Sequence, residues 1–246
     1  MKIPAAETSL LVALLQTAET ARVAATTLVE SAVRGSSPRE EIDRRIRRWA
    51  RRAQQYSQMQ VRVEGEEHLR LCANETFVVM SNHQSNWDIP TIYYAFPYTL
   101  RMVAKMEMKK IPLMGSAMDK AEFVFVDRTD KRQAFKAIRQ AEQTLRSGVN
   151  VWIAPEGTRS RDGRLGPFKK GGFIMALDTE TRILPCTLDG TRHVVPPGAA
   201  RVRRNVPVTV KYHPPVDPQR WGHERRDELL EHVRTIIASG LPESLR

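Results

Sequence analysis

The stretch TFVVMSNHQSNWDIP (76–90) carries an apolar run, FVVM, that ends abruptly in a polar turn holding a histidine and an aspartate five residues apart. A short apolar run bounded by polar turn residues reads as a buried strand. The pattern recurs downstream. The run 122–126 leads into Asp127 and Arg128, the almost wholly apolar run 149–154 leads into PEGTRS (155–160), and ILPCTLDG (183–190) supplies a fourth block. Further strands are expected at 61–63, 100–104 and 206–212, and helices at 89–96, 107–119, 131–147, 171–178 and 223–239. Strands spaced by helices specify an α/β sheet with helices on its faces. Three of the four blocks begin at or near the C-terminal end of a strand, the edge where sites in such sheets collect.

Residues 7–34 read as one helix, because Leu11, Leu14, Leu15, Ala18, Ala21, Ala25, Leu28 and Ala32 recur at three- and four-residue steps. GSSP (35–38) breaks it. Ser37 is the expected N-cap of a second helix, with Pro38 at its first position and Glu40 and Glu41 in its first turn. That helix, 38–57, carries Ile42, Ile46, Trp49, Ala53 and Tyr56 on one side and Arg44, Arg45, Arg47, Arg48, Arg51 and Arg52 on the other. Two readings fit the hairpin. It is a pair packed on the main domain with a solvated arginine face, or an interfacial anchor whose basic side meets anionic headgroups. Residues 196–206, with two prolines and three arginines, read as a surface loop.

A chain of 246 residues, 41% of them hydrophobic, suffices for one α/β domain with a small appendage. Thirty-nine Lys and Arg against 28 Asp and Glu leave a net charge of +11. That surplus points to a polyanion: a bilayer, a phosphorylated substrate or nucleic acid. Aromatics are only 7% and do not interleave with basic residues, which argues against nucleic acid. Cys72 and Cys186 make neither a disulfide framework nor a zinc pattern, so no metal is expected and a reducing compartment is. A spanning helix needs about 20 mostly apolar residues. Glu7, Glu19, Arg22 and Glu30 interrupt the N-terminal segment, and no later stretch does better. Neither a conventional spanning helix nor a cleavable signal peptide is expected.

An alcohol is a poor nucleophile at neutral pH until a base takes its proton, and imidazole suits that task. His83 is the candidate base. Asp88 is the candidate to accept the other ring N–H, fix the tautomer and stabilise the imidazolium. A His and an Asp at this spacing are, by themselves, more often structural. Arg128 either pairs with Asp127 or Asp130 at the surface or clamps an anion. In PEGTRS, Gly157 lets backbone approach a ligand closely. Arg159 offers a second clamp. Glu156 cannot attract phosphate, so it is expected to hold Arg159 or a substrate hydroxyl.

Taken together and in order, NHQSNWD (82–88), VFVDR (124–128), PEGTRS and ILPCTLDG resemble the blocks of the glycerolipid acyltransferase family, which includes the lysophosphatidic acid acyltransferases. The resemblance covers roughly residues 60–215. It implies an α/β fold, a mixed sheet flanked by helices and preceded by an N-terminal helical hairpin. The implied division is a membrane-interacting hairpin (1–58) and an acyltransferase domain (59–246). The implied reaction moves a fatty acyl group from acyl-CoA or acyl-carrier protein, co-substrates rather than cofactors, to the sn-2 hydroxyl of 1-acyl-sn-glycerol-3-phosphate. By resemblance, His83 is the catalytic base and Asp88 its partner. Arg128, Glu156, Gly157 and Arg159 inherit substrate-binding roles, the guanidinium suiting a phosphate. Lys105, which opens KMEMKKIPLMG (105–115), is a further phosphate contact, and Lys169 and Lys170 of PFKKGG (167–172) add charge near the head group.

The same resemblance gives Pro185 a place in the pocket wall. Cys186 stands where relatives carry a small aliphatic residue and reads as a buried hydrophobe rather than an acyl carrier. The expected partners are lysophosphatidic acid, the thioester donor and an anionic membrane surface, with no nucleic acid. The expected location is the cytoplasmic face of the inner membrane, peripheral or monotopic. Many relatives begin with longer, purely apolar segments, so the amphipathic start bears on insertion depth. Two alternatives stay open. One is the same chemistry on glycerol-3-phosphate, another lysophospholipid or a lyso-ornithine-type lipid. The other is a basic membrane- or nucleic-acid-binding protein that has the fold without the catalysis.

Overall fold

The computed structural model describes residues 7–127, 131–196 and 198–246, and for 131–135 the backbone alone. Its first half runs β1 (Thr8–Ser9), α1 (Leu10–Arg34), α2 (Arg39–Ser57), β2 (Gln60–Glu64), α3 (Glu66–Leu69), β3 (Val78–Ser81), α4 (Asp88–Ala95), β4 (Leu100–Lys105), α5 (Met114–Lys120) and β5 (Val124–Val126). Then follow α6 (Lys131–Arg146), β6 (Asn150–Ile153), α7 (Gly171–Asp178), β7 (Ile183–Asp189), α8 (Thr191–Val194), β8 (Val202–Arg203), β9 (Pro207–Tyr212) and α9 (Arg226–Ser239). Seven strands form one sheet in the order β2-β9-β7-β3-β6-β4-β5. Strands β3 to β7 are parallel, whereas β9 runs antiparallel to β7 and parallel to β2, so the sheet is mixed.

Strand β3 is buried on both faces, which is why its sequence is almost unbroken in apolarity. Val79 points into a core shared with α2, α4 and α5, while Val78 and Met80 point into one shared with α6, α7 and α9. Each such side chain contributes about 1.5–3 kcal/mol by leaving water. Hairpin residues Ile42 and Ala50 belong to the first of these cores.

Three expectations change. The helix expected over 107–119 is a 3-10 turn, Met106–Lys110, followed by α5, which starts only at Met114. Pro112 has no N–H to offer and bars its predecessor from helical geometry, and Leu113 takes φ +63 at the break. Ser37 does not cap α2, which begins at Arg39; its hydroxyl lies 3.2 Å from that of Ser31. Within the loop expected over 196–206, β8 pairs antiparallel with β1.

Helix α1 is inverted. Leu10, Leu11, Leu14, Val29 and Val33 face outward, with Leu11 64% and Val33 79% exposed. Of its six buried positions, Gln16, Glu19, Thr27 and Ser31 are polar and only Val12 and Ala24 are apolar. Two of the arginines expected on the solvated side of α2 instead turn onto α1. Arg45 meets Glu30 at 2.5 Å, and Arg52 meets Glu19, which Arg22 also reaches at 2.6 Å. These hydrogen bonds, Arg22's foremost, hold the Glu19 carboxyl below its usual range. Trp49 Nε1 donates to Thr20 Oγ1 at 2.9 Å. Arg47, Arg48 and Arg51 have no hydrogen bond or ion pair among the described residues. Among the described residues no helix is long and apolar enough to cross a membrane.

A buried ion pair ties α2 to the sheet. Arg101 is fully buried, and its Nη1 donates to Asp43 Oδ1 at 2.6 Å and to the Leu100 carbonyl at 2.9 Å. Asp43 Oδ2 accepts from the Thr99 hydroxyl at 2.6 Å. Removing one partner strands the other charge, and Glu122, at 3.9 Å, is too distant to replace it. Asp43→Ala is therefore expected to cost about 3–5 kcal/mol, read as a lower urea midpoint at unchanged m-value.

Candidate active site

Parallel strands deliver their C-terminal ends to one edge, and the functional side chains gather there. His83 lies two residues beyond β3, Asp88 opens α4, and Lys105 ends β4. Pro155, Glu156 and Gly157 follow β6, and Thr191 opens α8 just after β7. Because β3 sits between β6 and β7, the loops after all three strands meet around His83.

Asp88 is fully buried, and its carboxylate is satisfied from several directions. Oδ2 lies 2.7 Å from His83 Nδ1 and accepts from the backbone N–H groups of Gln84 at 2.7 Å and Ser85 at 3.0 Å. Oδ1 accepts from the Thr191 hydroxyl. A carboxylate can only accept, so His83 carries its proton on Nδ1 when neutral, which leaves the Nε2 lone pair free. The His83 side chain is 20% exposed.

The neighbouring blocks brace this pair. The Asn82 side chain donates to the Leu188 carbonyl at 2.8 Å and accepts from the Leu188 N–H at 2.7 Å. Glu156 Oε1 accepts from the His83 N–H at 2.7 Å, and Oε2 from the Gly166 N–H at 2.9 Å. Burial pushes the Glu156 carboxyl up, and these amide donors oppose that shift. Glu156 therefore holds backbone, and no hydrogen bond joins it to Arg159 among the described residues. That corrects the expectation that Glu156 holds Arg159: its oxygens are taken by the His83 and Gly166 N–H groups, whereas Arg159 is exposed. The Ser160 N–H completes the frame by donating to the His83 carbonyl at 2.8 Å.

A cleft of about 350 Å³ opens beside the pair, lined by His83, Asn86, Lys105, Trp152, Gly157 and Arg159 among others. Lys105 and Arg159 are exposed there and have no ion-pair partner among the described residues. Gly157 has φ +73, and a Cβ on it would stand 2.9 Å from Lys169 Cε, so the Lys169 side chain lies across the glycine. Arg128 lies outside the described residues. Cys186 is fully buried, and burial pushes its thiol far up, which leaves it unsuited to carry an acyl group.

Thr191 and Asn82 are the functional residues that sequence reasoning missed. Asn82 was visible as part of a polar turn, but its partner is 106 residues away. Thr191 follows the fourth block directly, and only the β3–β7 pairing brings it to Asp88. Thr191→Val would leave Asp88 Oδ1 without a donor in a dry site. A loss of about 1–3 kcal/mol is expected, with Thr191→Ser close to wild type, in parallel denaturation curves.

The Acyltransferase family model matches residues 60–189. The chain is 34% identical over 185 residues to the 1-acyl-sn-glycerol-3-phosphate acyltransferase of Limnanthes douglasii, a match covering 75% of this chain and 64% of that relative's length. It is 30% identical over 192 residues to 1-acyl-sn-glycerol-3-phosphate acyltransferase alpha of Mus musculus, covering 74% of this chain and 67% of that one. Among solved structures, the 1-acyl-sn-glycerophosphate (LPA) acyltransferase PlsC of Thermotoga maritima superposes with a TM-score of 0.74 at 30% identity, covering 92% of this chain and 93% of that one. The family match includes β3, β6 and β7 and the loops after β3 and β6: the chain belongs to the Acyltransferase family.

Proposed function

We propose that this protein acylates the sn-2 hydroxyl of 1-acyl-sn-glycerol-3-phosphate with a fatty acyl thioester, giving phosphatidic acid. The observation that carries the reading is the His83–Asp88 pair, 2.7 Å apart, at a cleft whose rim bears two cations with no ion-pair partner among the described residues. The acceptor after which the relatives and the PlsC protein are named supports this choice of substrate. His83 Nε2 takes the proton of the hydroxyl as the oxygen attacks the thioester carbonyl. The C–S bond then breaks, and the imidazolium returns the proton to the departing thiolate. Asp88 stabilises the imidazolium between those two transfers. Lys105 and Arg159, with Arg128, bind the phosphate, so a group remote from the reacting carbon orients the hydroxyl. Glu156 and Gly157 act indirectly, Glu156 by fixing the His83 backbone and Gly157 by making room for Lys169.

An apolar cavity of about 150 Å³ under the hairpin, lined by Ile46, Trp49, Tyr93 and Met118 among others, suits an acyl chain. It shares Ile89, Met102 and Met108 with the cleft, so a chain can run from one into the other. The outward leucines of α1, together with Arg47, Arg48 and Arg51, suit a helix lying in the headgroup region of an anionic membrane.

The test is thioester-dependent acylation of 1-oleoyl-glycerol-3-phosphate by purified protein in detergent, with acyl-CoA and acyl-carrier protein as donors. Wild type is expected to make phosphatidate, and His83→Ala to lower kcat by about 10²–10⁴ at little change in KM. Equal product from the two proteins would remove the base. No product from folded wild type, against glycerol-3-phosphate or other lysolipids that do react, would move the assignment to another acceptor.

A further inference from the structure

Two cavities adjoin the cleft, one on each face of the sheet. The first is the apolar cavity under the hairpin. The second, of about 220 Å³, lies on the opposite face between α6, α7 and the sheet, with Ile138, Ala141, Ile153, Gly171 and Met175 in its wall. It shares Val103, Ala154 and Gly157 with the cleft. Lys169 stands at its edge, lying across Gly157, with no ion-pair partner among the described residues.

We propose that this second cavity receives the pantetheine arm of the thioester donor. The inference rests on the acyl-transfer reading of the cleft and adds the donor's path. A thioester carbonyl has two arms that must leave the reaction centre in different directions. One is a purely aliphatic acyl chain. The other carries a dimethyl group, two amides and, at its far end, a phosphate. The cavities differ in the corresponding sense. The one under the hairpin is walled mainly by aliphatic, aromatic and methionine side chains, and its one cation, Arg45, is paired with Glu30. The other combines an apolar wall with an ammonium that has no ion-pair partner among the described residues, the mix of surfaces that an amphipathic, anion-terminated arm requires.

Sheet geometry supplies the route. Strands β4 and β6 are neighbours, and both end at the cleft. Met102 of β4 faces the hairpin cavity and Val103 faces the second one. A donor draped over these strand ends has its carbonyl beside His83, its acyl chain on the hairpin face and its arm on the α6–α7 face. That second face lies away from the outward leucines of α1, so it is accessible to a water-soluble carrier. Coenzyme A and an acyl-carrier protein present the same arm.

Gly171 offers a clean probe. A Cβ there would meet Ile138 Cδ1 at 3.8 Å, an ordinary contact, and its φ is not in the left-handed region. Gly171→Leu thus fills the cavity without backbone strain. The ligands are thioether analogues that cannot turn over: S-hexadecyl-CoA, the same thioether on a carrier protein's phosphopantetheine, and S-hexadecyl-N-acetylcysteamine, which lacks most of the arm. Calorimetry on the full chain in detergent is expected to show at least tenfold weaker binding of an arm-bearing analogue to Gly171→Leu, with the truncated analogue and the melting temperature unchanged. Ile138→Phe, filling the same space from α6, is expected to repeat the result. Weakening with CoA, with the carrier protein or with both identifies which source brings the arm. Unchanged binding of both arm-bearing analogues would overturn the proposal. So would equal weakening of the truncated one, which would mean the cavity holds the acyl chain. Binding is read without an acceptor, so a wrong acceptor assignment shows only in the turnover assay.

Discussion

The carboxylate of Asp88 is the point on which the site depends. A buried carboxylate is tolerated only when donors replace its water. Here the donors come from two distant stretches of the sequence: backbone amides of Gln84 and Ser85 and the His83 ring, and, 103 residues from Asp88, the Thr191 hydroxyl. Asp88 also opens α4, where the helix end favours negative charge. Satisfying this one group fixes the loop after β3, the start of α4 and the turn after β7 relative to one another. The parallel order β7-β3-β6 is what makes that convergence possible, and Glu156 and Asn82 lock the adjoining loops to the same edge. The catalytic geometry and the sheet topology are thus one constraint seen at two scales.

The hairpin follows a different logic. Its two helices are joined by the ion pairs Arg52–Glu19 and Arg45–Glu30 and by the Trp49–Thr20 hydrogen bond, while Leu10, Leu11, Leu14 and Leu15 face out. In water alone such an arrangement exposes apolar surface for no gain. At the membrane surface proposed for it, the outward leucines would be buried and the ion pairs kept out of the hydrocarbon. On that proposal the cavity beneath the hairpin would lie between the surface and His83, on the path of a lipid chain. Filled on the other face by the donor's arm, the cleft would hold the thioester at the strand ends with each arm directed away from the attacking hydroxyl.

Much of this was legible in the sequence, for identifiable reasons. Strands buried on both faces are short apolar runs, so β3, β6 and β7 and the blocks behind them stood out. His83 and Asp88 lie five residues apart in a single turn, so their pairing was a local question. What was not legible depended on distance or on sidedness. Periodicity says which residues of α1 share a face, not whether that face turns inward, so its inversion was hidden. Arg45 and Arg52 looked solvated because their partners, Glu30 and Glu19, lie on another helix. The break before α5 was written in Pro112 but outweighed by the surrounding helix formers. The bracing role of Glu156 was hidden because its amide partners are 73 and 10 residues away.

The state of the His83 ring tests the central claim most directly. Nitrogen-15 spectra of histidine-labelled protein, above the pH at which the ring is neutral, report which nitrogen holds the proton. A neutral wild-type ring protonated on Nδ1 is the expected result. A neutral ring protonated on Nε2 in the wild type would contradict it, because no basic nitrogen would then face the cleft.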